Sequence, residues 1–177
     1  MQLNYIANAG VPSSSGRLIP VIDPSDGKPF DELQRSNAQD IDGAVQAARH
    51  CLEVAWSKLS AAERGRLLMK LSAKVADRAD ELALIEQRDC GKPTKQARAD
   101  ALALVRYFEF YAGACDKLHG ETLPYQDGYS VFTWREPHGV TGHIIPWNYP
   151  MQIFGRSVGG ALAAGNVCVV KPSEDAC

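Results

Sequence analysis

Residues 136–174, EPHGVTGHIIPWNYPMQIFGRSVGGALAAGNVCVVKPSE, decide the fold of this chain. Gly139 to Ile145 is an apolar, β-rich run that Pro146 stops. Trp147, Asn148 and Tyr149 fill a tight turn, and Pro150 stands at the first position of a helix, where no backbone donor is needed. Small and apolar residues continue to Ala164, Gly165 supplies a left-handed stop, and Asn166 to Val170 make a second short buried strand. The order is strand, helix, strand, and a right-handed crossover places the carboxyl ends of both parallel strands on one rim. Open α/β sheets bind ligands at such rims. Trp147 and Asn148 from the first strand, with Lys171 and Glu174 from the second, bring a flat apolar wall, an amide donor, a cation and a hydroxyl acceptor to that rim, a set suited to a nucleotide.

Upstream the signals are helical. Ile41, Val45, Ala48, Leu52 and Ala55 recur at spacings of four and three, which predicts a helix with one stripe on a core. Ser60-Ala61-Ala62-Glu63 reads as a capping box opening a second helix with Leu67, Leu68, Leu71 and Val75. A third runs from about Asp80 to Cys90-Gly91, where Lys92-Pro93 confirms the stop. The fourth and longest, with Thr94 as its expected cap, carries Ala97, Ala101, Leu104, Val105, Phe108 and Tyr111 towards Lys117. Before them, Leu18 to Ile22 and the turn at Asp23 to Gly27 predict a peripheral β-hairpin. After them, Asp127-Gly128 marks a turn and Tyr129 to Arg135 a strand. A strand there either pairs within its own hairpin or seeks a partner chain along its open edge.

Composition excludes several classes. The 19 basic and 21 acidic side chains leave a formal charge of −2, so no basic surface points to nucleic acid or anionic lipid. No apolar run reaches the roughly 18 residues of a membrane span, and MQLNYIANAG lacks the pattern of a signal peptide. A cytoplasmic protein is the expectation. Cys51, Cys90, Cys115, Cys168 and Cys177 form no metal-ligand rhythm, and the reading is of buried free thiols with no metal site.

The run Gly139-x-x-x-x-Ile144-x-Pro146-Trp147-Asn148-x-Pro150, followed by Lys171-Pro172-Ser173-Glu174, resembles the aldehyde dehydrogenase superfamily. Tyr111-Ala112-Gly113, Asp116-Lys117, Gly120 and Arg135-Glu136-Pro137 extend the likeness, and Asp23 to Gly27 carries it further back. It covers nearly the whole chain but only the amino-terminal portion of such an enzyme. The implied fold is α/β: helices, then the start of a Rossmann-like parallel sheet, with a β arm. The implied division is a peripheral β segment over 1–36, the helical part of the cofactor-binding domain over 37–119, an oligomerisation arm over 120–137, and the first βαβ unit over 138–177.

The resemblance also implies roles. Asn148 donates its amide to the aldehyde carbonyl and then to the oxyanion, although by spacing alone it could instead cap the following helix. Ile144, Ile145, Pro146 and Trp147 contact the cofactor, while Lys171, Ser173 and Glu174 hold its adenosine ribose. A carboxylate on the ribose hydroxyls repels a 2′-phosphate, so NAD is favoured over NADP. Met151, Phe154 and Ser157 would help shape the aldehyde pocket, and the arm would join copies into a homo-oligomer. Gly155, Gly159 and Gly160 lie inside the helix rather than at a phosphate turn, and are expected to let the helix approach the sheet. The family's nucleophilic cysteine and base glutamate lie downstream of Lys-Pro-Ser-Glu, and no part of this sequence matches either. The 177 residues alone are therefore expected to be inactive, and the alternative is a non-catalytic nucleotide-binding or oligomerising module.

Overall fold

The computed structural model describes all 177 residues. Two hairpins come first, where the sequence predicts one. β1 (Asn4–Ile6) and β2 (Ala9–Val11) are joined through Ala7 and Asn8, both left-handed at φ of 51° and 62°. That two-residue turn matches the twist of paired strands, but Ala7 is not a residue that advertises it. β3 (Leu18–Asp23) and β4 (Lys28–Gln34) form the expected hairpin. The Asp23 carboxylate accepts from the Ser25 amide at 2.9 Å, and Gly27 closes the turn at φ 70°.

α1 (Ala38–Val54) begins with a capping box of its own: Asn37 accepts from the Asp40 amide, and Asp40 accepts from the Asn37 amide at 2.9 Å. Its apolar stripe does not enter a core as predicted. Val45, Ala48 and Leu52 are only half-buried, and Ile41 and Ala55 are exposed, because the helix lies across the two-stranded parallel sheet rather than among other helices. α2 (Ala61–Asp77) opens on the predicted Ser60–Glu63 box, with the Ser60 amide donating to Glu63 at 2.8 Å. α3 (Ala79–Cys90) ends at Gly91, left-handed at φ 68°. α4 (Thr94–Ala114) follows Pro93, and Thr94 is its first residue rather than its cap. The Thr94 hydroxyl instead donates to Gln87 at 2.8 Å.

β5 (Thr122–Leu123) and β6 (Val131–Phe132) are two residues each, much shorter than the predicted strand. Thr133 clamps the open end of this hairpin, its amide donating to Glu121 O and its hydroxyl accepting from the Glu121 amide, each at 2.8 Å. Within the chain the segment is thus an intramolecular hairpin. It leaves Tyr125, Tyr129, Phe132 and Trp134 exposed.

β7 (Val140–Ile144), α5 (Pro150–Ala163) and β8 (Val167–Lys171) complete the chain, with β7 and β8 parallel in a register that pairs Val140 with Val167 and Ile144 with Lys171. Gly165 ends α5 at φ 91°. Asn166 is buried and locks the crossover, donating to Ala161 O at 3.1 Å and accepting from the Gly139 amide at 3.0 Å. The core lies between α2, α4 and α5 around Leu68, Leu104, Phe108 and Ala163.

The α5 glycines serve a different approach from the one expected. A Cβ at Gly155 would stand 2.8 Å from Leu104 and 3.1 Å from Tyr107, and one at Gly159 would stand 2.7 Å from Tyr111. These are α4 side chains, so the glycines seat helix on helix. The sheet packs on α5 less closely.

Candidate functional site

The turn between β7 and α5 is formed by three residues with different tasks. Tyr149 is the residue that starts α5, and no side chain caps the helix. The capping role open to Asn148 is therefore not used: its side chain is exposed and makes no hydrogen bond within the chain. Its neighbours, by contrast, are held. Cys90 Sγ donates to Trp147 O at 3.5 Å, and Gln96 Nε2 donates to the Tyr149 hydroxyl at 3.4 Å. Lys92 Nζ sits 4.5 Å from the centre of the Tyr149 ring.

Together Cys90, Lys92, Gln96, Trp147, Asn148 and Tyr149 line an open cleft of about 230 Å³. Beneath it lies a buried charge network. Lys92 Nζ donates to Glu86 at 2.9 Å and to Asp100, and Asp100 also accepts from Gln152 of α5 at 2.6 Å. Glu86 is 4% and Asp100 2% exposed. Burial pushes the Glu86 carboxyl above its ordinary value, against the pull of Lys92 and of the Met151 amide in the first turn of α5. For Lys92 burial works the other way, but hydrogen bonds to Asp100 and Glu86 outweigh it and hold the ammonium above its usual range.

The second part of the rim is exposed. Lys171 Nζ pairs with Glu174 Oε2 at 2.8 Å, and that hydrogen bond keeps the Glu174 carboxyl below the ordinary carboxylate range. Oε1 has no side-chain partner. Ser173 Oγ accepts from the Asp175 amide at 3.2 Å, which shapes the turn carrying Glu174. The two parts meet through the backbone, where the Ile145 amide donates to Lys171 O at 3.0 Å. Ile144 is 83% exposed, a large apolar surface beside Lys171. Ile145 is 4% exposed and belongs to the interior, so it can offer a ligand only its main chain.

The sequence pattern described as the aldehyde dehydrogenase family matches residues 11–177. The chain belongs to the aldehyde dehydrogenase family. It is 44% identical over 173 residues to hydroxyisobutyraldehyde dehydrogenase of Mycolicibacterium austroafricanum, covering 98% of this chain and 34% of the relative. A crystal structure from Burkholderia cenocepacia, assigned as an aldehyde dehydrogenase, superimposes with a TM-score of 0.97 at 67% identity, covering 99% of this chain and 37% of that one. PnpE in complex with nicotinamide adenine dinucleotide superimposes with a TM-score of 0.92 at 38% identity, over 97% of this chain and 36% of that one. The chain thus spans about a third of the length of the proteins it matches.

Within this aldehyde dehydrogenase fold, two groups of side chains depart from the sequence reading. Phe154 stands edge-on to Phe108 in the core with ring centres 6.1 Å apart, and Ser157 Oγ is hydrogen-bonded to His143 Nδ1, so both point inward rather than into a substrate pocket. Of the five thiols only Cys115 is fully buried; Cys90 and Cys168 are half-buried, and Cys51 and Cys177 are exposed. Burial pushes Cys90 up to about 12, and partial desolvation of the Cys177 thiol beside Asp89 takes it to about 11 although the residue as a whole is exposed, with the Asp89 charge adding to both. Burial also raises Cys115 and Cys168. Sequence reading misses Cys90, Lys92 and Gln96 as cleft residues, since Gly91-Lys92-Pro93 registers only as a helix stop. A lysine placed between an acidic residue six positions before it and another eight positions after it is the available signal.

Proposed function

We propose that this chain supplies the oxyanion donor and half of the dinucleotide site of an NAD-dependent enzyme that oxidises an aldehyde to a carboxylic acid. The observation that carries the reading is the Asn148 amide, left without a partner on a turn whose other two residues are tied down. An amide so held donates to the carbonyl oxygen of an aldehyde in the cleft. It donates more strongly to the oxyanion that forms when a nucleophile adds, which lowers the barrier by about 3 kcal/mol for a preorganised donor of this kind.

The residues at the rim fit a dinucleotide. Glu174 is ionised and has one oxygen free to accept ribose hydroxyls, Lys171 fixes its other oxygen, and Ser173 sets the turn. Ile144, Pro146 and Trp147 offer exposed apolar surface, and Ile145 its main chain. NAD, when bound, supplies the hydride acceptor. The Glu174 carboxylate disfavours a 2′-phosphate, which supports NAD over NADP.

The division into a peripheral β segment (1–36), a helical part of the cofactor domain (37–119), an arm (120–137) and a first βαβ unit (138–177) belongs to this reading. The exposed aromatics of the arm support its use in joining copies of the chain. A thiolate nucleophile is also needed; Cys90, Cys115, Cys168 and Cys177 are all shifted away from ionisation, and Cys51 lies on α1, outside the cleft. The 177 residues by themselves therefore do not oxidise aldehydes. That same observation favours, as the second reading, a nucleotide-binding or oligomerising module.

Titration with NAD separates them. In the enzyme reading the 177 residues bind NAD weakly, and the cofactor affinity of the complete enzyme drops on Glu174→Ala. Micromolar NAD binding by the 177 residues alone, lost in Glu174→Ala, favours the module. Affinity of the complete enzyme unchanged in Glu174→Ala rejects the cofactor assignment.

A further inference from the structure

Asn148 is held from both sides while nothing holds its own side chain, and each support comes from the corner between α3 and α4. Cys90 donates to the carbonyl of Trp147. Gln96 and Lys92 engage Tyr149, one at its hydroxyl and the other over its ring. Lys92 is the hub: its ammonium joins Glu86 at the end of α3 to Asp100 on α4. Asp100 in turn accepts from the side-chain amide of Gln152, in the first turn of α5, at 2.6 Å. Three elements are therefore fixed to one another by one buried cation directly under the turn that presents Asn148.

A buried ion pair of this kind is weak evidence of a contribution to stability, since an apolar substitute of equal volume often serves as well. It is suited to holding a direction, because Glu86 and Asp100 must both stay within reach of the one ammonium. A catalytic donor needs that property, since displacement by about 1 Å costs up to about 100-fold in rate.

We propose that Lys92 is a positioning residue for Asn148, fixing the angle at which the amide meets the aldehyde oxygen. The inference rests on the reading of Asn148 as oxyanion donor. The Lys92 ammonium is committed to Glu86, Asp100 and the Tyr149 ring, and it acts by holding Tyr149 and the first turn of α5.

A double-mutant cycle on kcat in the complete enzyme tests it, with NAD and aldehyde saturating. Asn148→Ala is expected to lower kcat by about 100-fold. Lys92→Met is expected to lower kcat by about tenfold with KM for NAD unchanged, and to lower it by less than about twofold in an enzyme that already carries Asn148→Ala. Because Lys92→Met leaves two buried carboxylates unpaired and can fail to fold, Tyr149→Leu, which removes the ring but no charge, is run beside it with the same expectation. Equal losses with and without Asn148→Ala for either folded variant would overturn the positioning role, as would no loss in either background. An undiminished kcat in Asn148→Ala itself would reject the oxyanion reading instead, so the two failures are told apart.

Discussion

The seating of α5 on α4 decides where the Asn148 turn stands, and Gly155→Ala tests that seating. The added Cβ would meet Leu104 Cδ1 at 2.8 Å, Tyr107 Cδ2 at 3.1 Å and Tyr107 Cβ at 3.2 Å. Ordinary carbon contacts begin near 3.5 Å, so Leu104 must give by about 0.7 Å and Tyr107 by about 0.4 Å. Leu104 is buried in the core, and Tyr107 Cβ is fixed to the α4 backbone, so the helices must part. Overpacking of this size costs about 1–3 kcal/mol. Replacing glycine by alanine inside a helix recovers about 1 kcal/mol, leaving a net loss of up to about 2 kcal/mol. For a chain of this length that lowers Tm by up to roughly 8 °C. Gly43→Ala is the control: it lies in α1, nothing would stand within 4 Å of its Cβ, and it should gain about 1 kcal/mol. Thermal melts of both variants beside the parent protein give the answer. A Gly155→Ala protein raised above the parent as far as Gly43→Ala refutes the helix-on-helix packing.

Other expectations follow from the same geometry. His143 is held below its ordinary value of 6.5 by burial, with Nε2 2.9 Å from the Thr141 hydroxyl. The unfolded chain then binds the proton more readily than the folded one. Stability is full above pH 6.5 and falls as pH drops through the lower folded value. Urea midpoints at pH 8 and pH 5 should differ less for His143→Gln than for the parent, and equal differences refute this. Alkylation by iodoacetamide at pH 8 should modify exposed Cys51 well before Cys90, whose thiol is pushed up to about 12; the reverse order, read by mass spectrometry, contradicts the structure. Replacing Tyr125, Tyr129, Phe132 and Trp134 together by serine should reduce the assembly of the complete enzyme, measured by sedimentation; an unchanged mass rejects the arm as the contact.

What the sequence discloses is what a few neighbouring residues determine. Pro150 and Gly165 bracket α5, the Ser60–Glu63 box opens α2, and Gly91 closes α3, since each acts on backbone within one turn. The βαβ order and the rim follow from those boundaries. Side-chain direction is a different matter. Whether Gly155 faces sheet or helix depends on the angle at which α5 crosses α4, and that angle is set by Leu104 and Tyr107, some fifty positions earlier. Phe154 turns inward on Phe108 of α4 for the same reason, whereas Ser157 meets His143 of β7. The α1 stripe is correctly periodic, yet a period tells which residues share a face and not what covers it. Asn148 stands out by its motif, and the structure adds that its amide is uncommitted. Cys90, Lys92 and Gln96 escape notice because their contacts to the turn span more than fifty residues.

Single-turnover formation of NADH by the complete enzyme carrying Asn148→Ala, followed beside its affinity for NAD, puts the oxyanion role of this turn to its plainest test. The rate should fall about 100-fold with NAD binding unchanged, because the lost donor acts on the oxyanion and not on the cofactor. A rate within twofold of the parent enzyme would contradict it and remove the site from this turn.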